Sequence, residues 1–175
     1  MIELKDIKNC ESILLVEEAK SLQLTINNVL NVLQSKPVVY ISLIKPYNFV
    51  LQDLKKNKKE TDKIFFIDCI TELAGGDVNR QENVLFIREP TDLTGLKIAI
   101  DQSSESIPGE KWVILDALRV LTIYNKEDTV LRFVQSVLGM TSSHNAKIVV
   151  LATKGKDESF IKKASQFFEK VVEGE

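Results

Sequence analysis

The stretch Ile13-Leu14-Leu15-Val16-Glu17-Glu18-Ala19-Lys20-Ser21-Leu22-Gln23-Leu24-Thr25 passes from an unbroken apolar run through a short polar turn into a helical pattern. A run that never alternates with polar residues is what a strand needs when helices cover both its faces, as in a parallel sheet. The turn contains no glycine. A loop that wraps phosphate with backbone amides relies on glycines, so this junction has the position of a phosphate cradle without its chemistry.

Working outward, six short runs read as strands: Ser12–Glu17, Val38–Leu43, Lys63–Asp68, Asn83–Ile87, Lys111–Asp116 and Lys147–Ala152. Between them lie helical stripes. Ile26, Val29, Leu30 and Leu33 recur at i, i+3, i+4 and i+7, as do Val130, Val134, Val137 and Leu138. A third stripe, Phe160, Ala164, Phe167, Phe168 and Val171, follows the last run. Thr61-Asp62 and Thr91-Asp92 read as helix starts with capping chemistry, and Pro46 as a turn or first helical residue. Pro90 separates the fourth strand from the next helix. Gly75-Gly76-Asp77 marks a loop after the third strand, and the run Ser103 to Gly109 marks one before the fifth. The pattern predicts one α/β domain over residues 1–175, with a mostly parallel, right-handed sheet flanked by helices.

Composition narrows the function classes. At 175 residues, 44% apolar and 27% charged, the chain has the size and balance of one buried-core domain. A formal net charge of −2 gives no broad attraction to nucleic acid or an anionic membrane. The basic run Lys55-Lys56-Asn57-Lys58-Lys59 reads as a solvated helix end that suits the dipole's negative pole. Cys10 and Cys69 lie far apart without metal-binding spacing, and Cys69 reads as a small core residue. The single histidine, His144, sits in a polar stretch and reads as a solvated loop residue, with no second histidine for a metal site. Met1-Ile2-Glu3-Leu4-Lys5-Asp6 is charged, unlike a signal peptide, and no apolar run approaches the ~18 residues needed to span a bilayer. A cytoplasmic protein with neither membrane nor nucleic-acid partners is expected.

Ligands of open α/β sheets bind at the carboxyl ends of the strands. There the first strand offers Glu17 and Glu18, which repel a triphosphate strongly in a partly desolvated site. Lys20-Ser21 arrives too soon after the strand, and without a preceding glycine, to serve as a Walker A lysine and hydroxyl.

Several segments together resemble the KaiC-like branch of the RecA-superfamily ATPases, across Glu11 to Val172: Ile13–Glu17, Val38–Pro46, Lys63–Asp68, Trp112–Leu118 and Ala146–Thr153. The resemblance implies a three-layer RecA-like fold. It places the Walker A lysine at Leu24, the following hydroxyl at Thr25, the water-activating acids at Leu43-Ile44-Lys45, the Walker B aspartate at Asp116 and a sensor-like position at Thr153. Only Thr25 and Asp116 survive as a remnant nucleotide site. Magnesium on Asp116 alone would bind weakly, since such sites borrow phosphate oxygens. What the resemblance implies is therefore a pseudo-ATPase without catalytic residues or cofactor, acting as a regulatory or scaffolding subunit in signal transduction. Its partner is another protein or a second copy of itself. The alternative is an ATP- and Mg-binding enzyme with an unorthodox or inter-subunit pocket, its charge supplied by Lys20, Lys45 or Lys154. On structural grounds alone, Asp116 and Asp68 read as loop caps through backbone amides, and Trp112 as core.

The opening stretch also looks like the start of a response-regulator receiver domain, with its acidic pair after the first strand. Asp68 would then be the phosphoacceptor, and Thr153-Lys154 would mimic the hydroxyl and lysine of that family. Six strands and a longer chain depart from the five-stranded receiver pattern.

Overall fold

The computed structural model describes residues 4, 7–33 and 36–174; apart from Leu4, the charged N-terminal run lies outside the described residues. Seven strands form one sheet: β1 Ser12–Glu17, β2 Val38–Ser42, β3 Ile64–Asp68, β4 Val84–Phe86, β5 Lys111–Asp116, β6 Ala146–Thr153 and β7 Lys170–Glu173. Their spatial order is β4-β3-β2-β5-β6-β1-β7, and every pairing is parallel. Six α-helices join them: α1 Leu22–Leu33, α2 Tyr47–Lys56, α3 Leu93–Ser106, α4 Leu118–Tyr124, α5 Glu127–Ser143 and α6 Ser159–Ser165. This is a three-layer α/β fold consistent with a RecA-like domain.

The two helical layers follow from alternation along the strands. Ile13 and Leu15 of β1, Tyr40 of β2, Phe66 of β3 and Trp112 and Ile114 of β5 pack under α1 and α2. The intervening Leu14, Val16, Ile41, Ile67, Val113 and Leu115 pack under α3, α4, α5 and α6. Strands buried on both faces explain why the apolar runs are continuous. Each fully buried aliphatic side chain contributes ~1.5–3 kcal/mol, and Leu14, Leu15, Ile41, Ile67 and Ile114 are among those with essentially no exposure.

Several expectations need correction. The sheet has seven strands, not six, and the third helical stripe breaks: α6 ends at Ser165, while Val171 lies on the exposed edge strand β7. Thr61-Asp62 starts no helix; it forms the turn into β3, with the Ile64 amide bonded to the Thr61 carbonyl at 3.0 Å. Thr91-Asp92 does precede one, and Asp92 caps α3 by accepting from the Gly95 amide at 2.8 Å. The predicted loop at Ser103–Gly109 begins late, because α3 continues to Ser106. Ser103 and Ser104 are small enough to be buried under the helix, and the Ser106 hydroxyl bonds back to the Ser103 carbonyl at 3.0 Å. Cys69 and Trp112 are core residues, as expected. Among the described residues, no helix is long and apolar enough to cross a membrane.

Candidate functional site

The same alternation that buries Ile13, Leu15, Tyr40 and Ile114 turns the next residues on that face polar. Glu17, Ser42, Asp68, Asp116 and Thr153 thus end β1, β2, β3, β5 and β6 on the α1–α2 side. Ser42 is in register with both Asp68 and Asp116, so these three stand at one level. Glu17 pairs with Thr153 across the β1–β6 ladder. With β6 between β1 and β5, Glu17 and Asp116 end strands roughly 10 Å apart, two strand spacings.

At the end of β1 the chain turns through Glu18 into a short 3-10 segment, Ala19–Ser21, and directly into α1. The Glu17 side chain folds inward and is 4% exposed. Its Oε1 accepts the Thr25 hydroxyl at 3.1 Å. Its carboxylate also lies flat on Gly174, where a Cβ would come within 2.2 Å of Oε2. Gly174 is held there by its own amide, which donates to the Val16 carbonyl at 2.8 Å, and by Lys154 Nζ, which donates to its carbonyl at 2.5 Å. The space at the turn after β1 is therefore filled by a carboxylate, a hydroxyl and the chain after β7. Leu24, the residue that the resemblance sets at the lysine position, is 54% exposed. Thr25 is bonded to Glu17 and Asp116 to Tyr40, and no hydrogen bond links Thr25 to Asp116 among the described residues.

Asp116 does not cap its loop through backbone amides, which corrects one expectation. Its Oδ2 accepts the Tyr40 hydroxyl at 2.5 Å, and its buried Oδ1 has no hydrogen-bond partner among the described residues. Burial pushes the Asp116 carboxyl up to about 6, against the opposing pull of the Tyr40 hydrogen bond and the Lys45 charge. Burial, and then the Asp116 charge, push the Tyr40 hydroxyl well above its ordinary range. The peptide bond from Asp116 to Ala117 is cis. Beyond it, Arg119 of α4 pins the end of β6: Nε donates to the Thr153 carbonyl at 2.8 Å and Nη1 to the Asp157 carbonyl at 3.1 Å.

Asp68 is the opposite case, a carboxylate with every oxygen in use. Oδ1 accepts the Ile70 and Thr71 amides, both at 2.8 Å, and Oδ2 accepts the Tyr47 amide at 2.7 Å and the Thr71 hydroxyl at 2.5 Å. It is fully buried and ties the start of α2 to the loop after β3, as the loop-cap reading expects. A phosphoacceptor must offer an accessible oxygen, and Asp68 does not. Lys45 reaches Asp53 at 3.1 Å, and Ser42 Oγ bonds to the Lys45 carbonyl. His144 is not simply solvated: its Nε2 lies 2.7 Å from Asp101 Oδ1, linking the end of α5 to α3.

Sequence reasoning missed Tyr40 and Gly174. Tyr40 had a signal, since it is the one hydroxyl inside the otherwise aliphatic run Val38–Ile41. Gly174 had none, because its role depends on where β7 docks. Among the described residues, no group of three or more His, Cys, Asp and Glu is placed to hold a metal ion.

Around this plugged edge several large apolar side chains reach the surface among exposed charged residues such as Glu18, Lys20 and Lys45. Leu24 on the first turn of α1, Ile44 and Phe49 at the start of α2, Leu73 and Val78 after β3, and Ile123 and Tyr124 at the end of α4 are all exposed. A hollow of about 370 Å³ opens between α2 and the loop after β3, lined by Tyr47, Phe49, Ala74, Gly75 and Gln81. Gly75 permits that loop with φ of 74°, in the left-handed region.

The sequence comparison gives the family and the structure comparison the fold. The sequence model of DUF7504, a family of unknown function, matches residues 46–174, and the chain belongs to that family. No curated protein matches the chain. Among solved structures, it is similar to the uncharacterized protein PH0321 from Pyrococcus horikoshii, solved in complex with an unknown peptide. That match has a TM-score of 0.74 at 12% identity, covering 93% of this chain and 76% of the other. PH0250 from Pyrococcus horikoshii OT3 is also similar, with a TM-score of 0.62 at 14% identity over 93% of this chain and 81% of that one. At such identities the likeness shows the fold alone.

Proposed function

We propose that this member of DUF7504 is a degenerate KaiC-like domain of the RecA superfamily, a pseudo-ATPase that works as a regulatory or scaffolding protein through protein contacts. The observation that carries this reading is the Glu17 plug: a buried carboxylate bonded to Thr25 and seated on Gly174, where a working relative needs glycine amides and a lysine. A phosphate brought to that position meets a negative charge in a partly desolvated setting, where repulsion is several times stronger than in bulk water. The exposed apolar residues along the same edge support a protein as the ligand, because they give a nucleotide's phosphates nothing to bind. The unknown peptide held by PH0321 accords with a binding role for this fold. Signal transduction is the setting proposed by analogy with the KaiC-like branch.

One observation favours a second reading. Asp116 keeps a buried, unpartnered oxygen at the Walker B position, where a magnesium–nucleotide complex completed by a neighbouring subunit would find a ligand. Titration calorimetry with Mg-ATP separates the two. The pseudo-ATPase reading expects no heat of binding for the wild type and for Asp116→Ala alike. Micromolar binding that needs magnesium and disappears in Asp116→Ala would establish the second reading instead.

A further inference from the structure

Away from the plugged edge, α3 and α5 leave an open groove of about 410 Å³ between them, within the ~300–1,000 Å³ range of ligand sites. α3 follows β4, and α5 follows α4 after β5; both lead back toward strands that start at the opposite edge, so they run side by side in the same direction. Groove-lining residues span 93 to 101 on α3 and 129 to 140 on α5. At 1.5 Å per residue that is a channel roughly 12–16 Å long, two to three helical turns. Its apolar lining is Leu93, Ile98, Phe133 and Met140, and Ile98 is 51% exposed although it belongs to a buried-face helix.

Charge completes the description. Lys97 from α3 and Arg132 from α5 line the same groove, are exposed, and have no ion-pair or hydrogen-bond partner among the described residues. The one acid in the lining, Asp101, is engaged by His144 at 2.7 Å. An apolar trough with an unpaired cation from each wall is complementary to an amphipathic segment whose apolar side chains are flanked by carboxylates.

We propose that the α3–α5 groove is a docking site for an acidic amphipathic helical segment of a partner protein. Its apolar residues pack on Ile98, Phe133 and Met140 while its carboxylates pair with Lys97 and Arg132. This groove lies on the α3–α5 face of the sheet, opposite the α1–α2 face that carries the Glu17 plug, so the proposal stands whether or not the plugged site binds a partner.

The test uses two synthetic helical peptides of equal length and identical apolar positions, spaced i, i+3, i+4 and i+7. One carries glutamate at the flanking positions and the other lysine. Backbone amide shifts should move at Lys97, Ile98, Arg132 and Phe133 on adding the glutamate peptide, and stay still with the lysine peptide. Anisotropy titrations should show affinity for the glutamate peptide falling at least about tenfold in Ile98→Glu and in the double variant Lys97→Glu, Arg132→Glu. The double variant should in turn prefer the lysine peptide. All three substituted side chains are exposed, so folding is preserved, and unchanged far-ultraviolet circular dichroism checks this. Equal binding of both peptides, shifts confined to the carboxyl edge, or no binding of the glutamate peptide overturns the proposal.

Discussion

The pair Tyr40–Asp116 shows how much one side chain decides at this site. Among the described residues, Tyr40 supplies the one hydrogen bond to a carboxylate that is 6% exposed, and leaves its second oxygen bare. The folded carboxyl titrates near 6 against a reference of 3.8, so between those values the folded state binds more protons than the unfolded one. This contribution to stability is therefore greatest below about pH 4 and falls as pH rises through about 6, a span worth about 3 kcal/mol. In Asp116→Asn the titration is gone while an acceptor for Tyr40 remains. Urea unfolding of both proteins at about pH 4 and about pH 7.5 should show the variant gaining about 2–3 kcal/mol on the wild type across that interval. A constant difference between the two proteins would mean that Asp116 is not held in the environment described. Tyr40→Phe leaves the carboxylate with no partner and should cost about 1–3 kcal/mol at neutral pH. Asp116 itself was legible in the sequence because it ends an apolar run. Its dependence on Tyr40 was not, since register alone brings those two side chains together.

At the scale of elements, pattern reading succeeds where a segment is covered on both sides and fails at the margins. The strands β1 and β5 have the predicted bounds because burial on both faces forces uninterrupted apolar residues. The edge strand β7 was hidden because only one side of it pairs, and its four residues Lys170-Val171-Val172-Glu173 alternate exposed with half-buried. Short, charged edges are how parallel sheets avoid pairing with other chains, and they carry little periodic signal. The basic run at the end of α2 was read correctly as a helix terminus. It borders a hollow of about 320 Å³ that the ends of α1 and α2 also face, and Lys59 bonds there to Asn31. Glu60 and Asp62 in the same lining and the C-terminal end of α1 offer these lysines counter-charge without an anion. The docking of β7 makes its own prediction. Gly174→Ala places a methyl group inside the Glu17 carboxylate, which should cost about 1–3 kcal/mol and increase amide exchange across Val171–Glu173. In a Glu17→Ala background the same substitution should be close to neutral. Additivity of the two changes in a double-mutant cycle would show that they do not meet.

For the whole molecule, the question is what occupies the carboxyl edge of this parallel sheet. The strand order, with β6 between β1 and β5, and the polar residues at the strand ends are those of a ligand-binding α/β sheet, and both follow from alternation along apolar strands. What differs is the occupancy of the edge. Glu17 and Asp116 engage hydroxyls and Asp68 engages amides and a hydroxyl, while Leu24, Ile44 and Phe49 are exposed near the same edge. An edge used for protein contact has a measurable asymmetry: its apolar residues contribute nothing to folding, because they are solvated in the isolated chain. Phe49 and Ile123, 54% and 74% exposed, are the clearest examples. Phe49→Glu and Ile123→Glu should each leave the unfolding free energy within about 0.5 kcal/mol of wild type, the range of surface substitutions. Combined, they should lower the fluorescence of a hydrophobic dye bound to the native protein and reduce association at high concentration in sedimentation experiments. A loss of several kcal/mol in unfolding would instead make the exposed edge part of the folded core, and remove the surface on which the protein-contact reading depends.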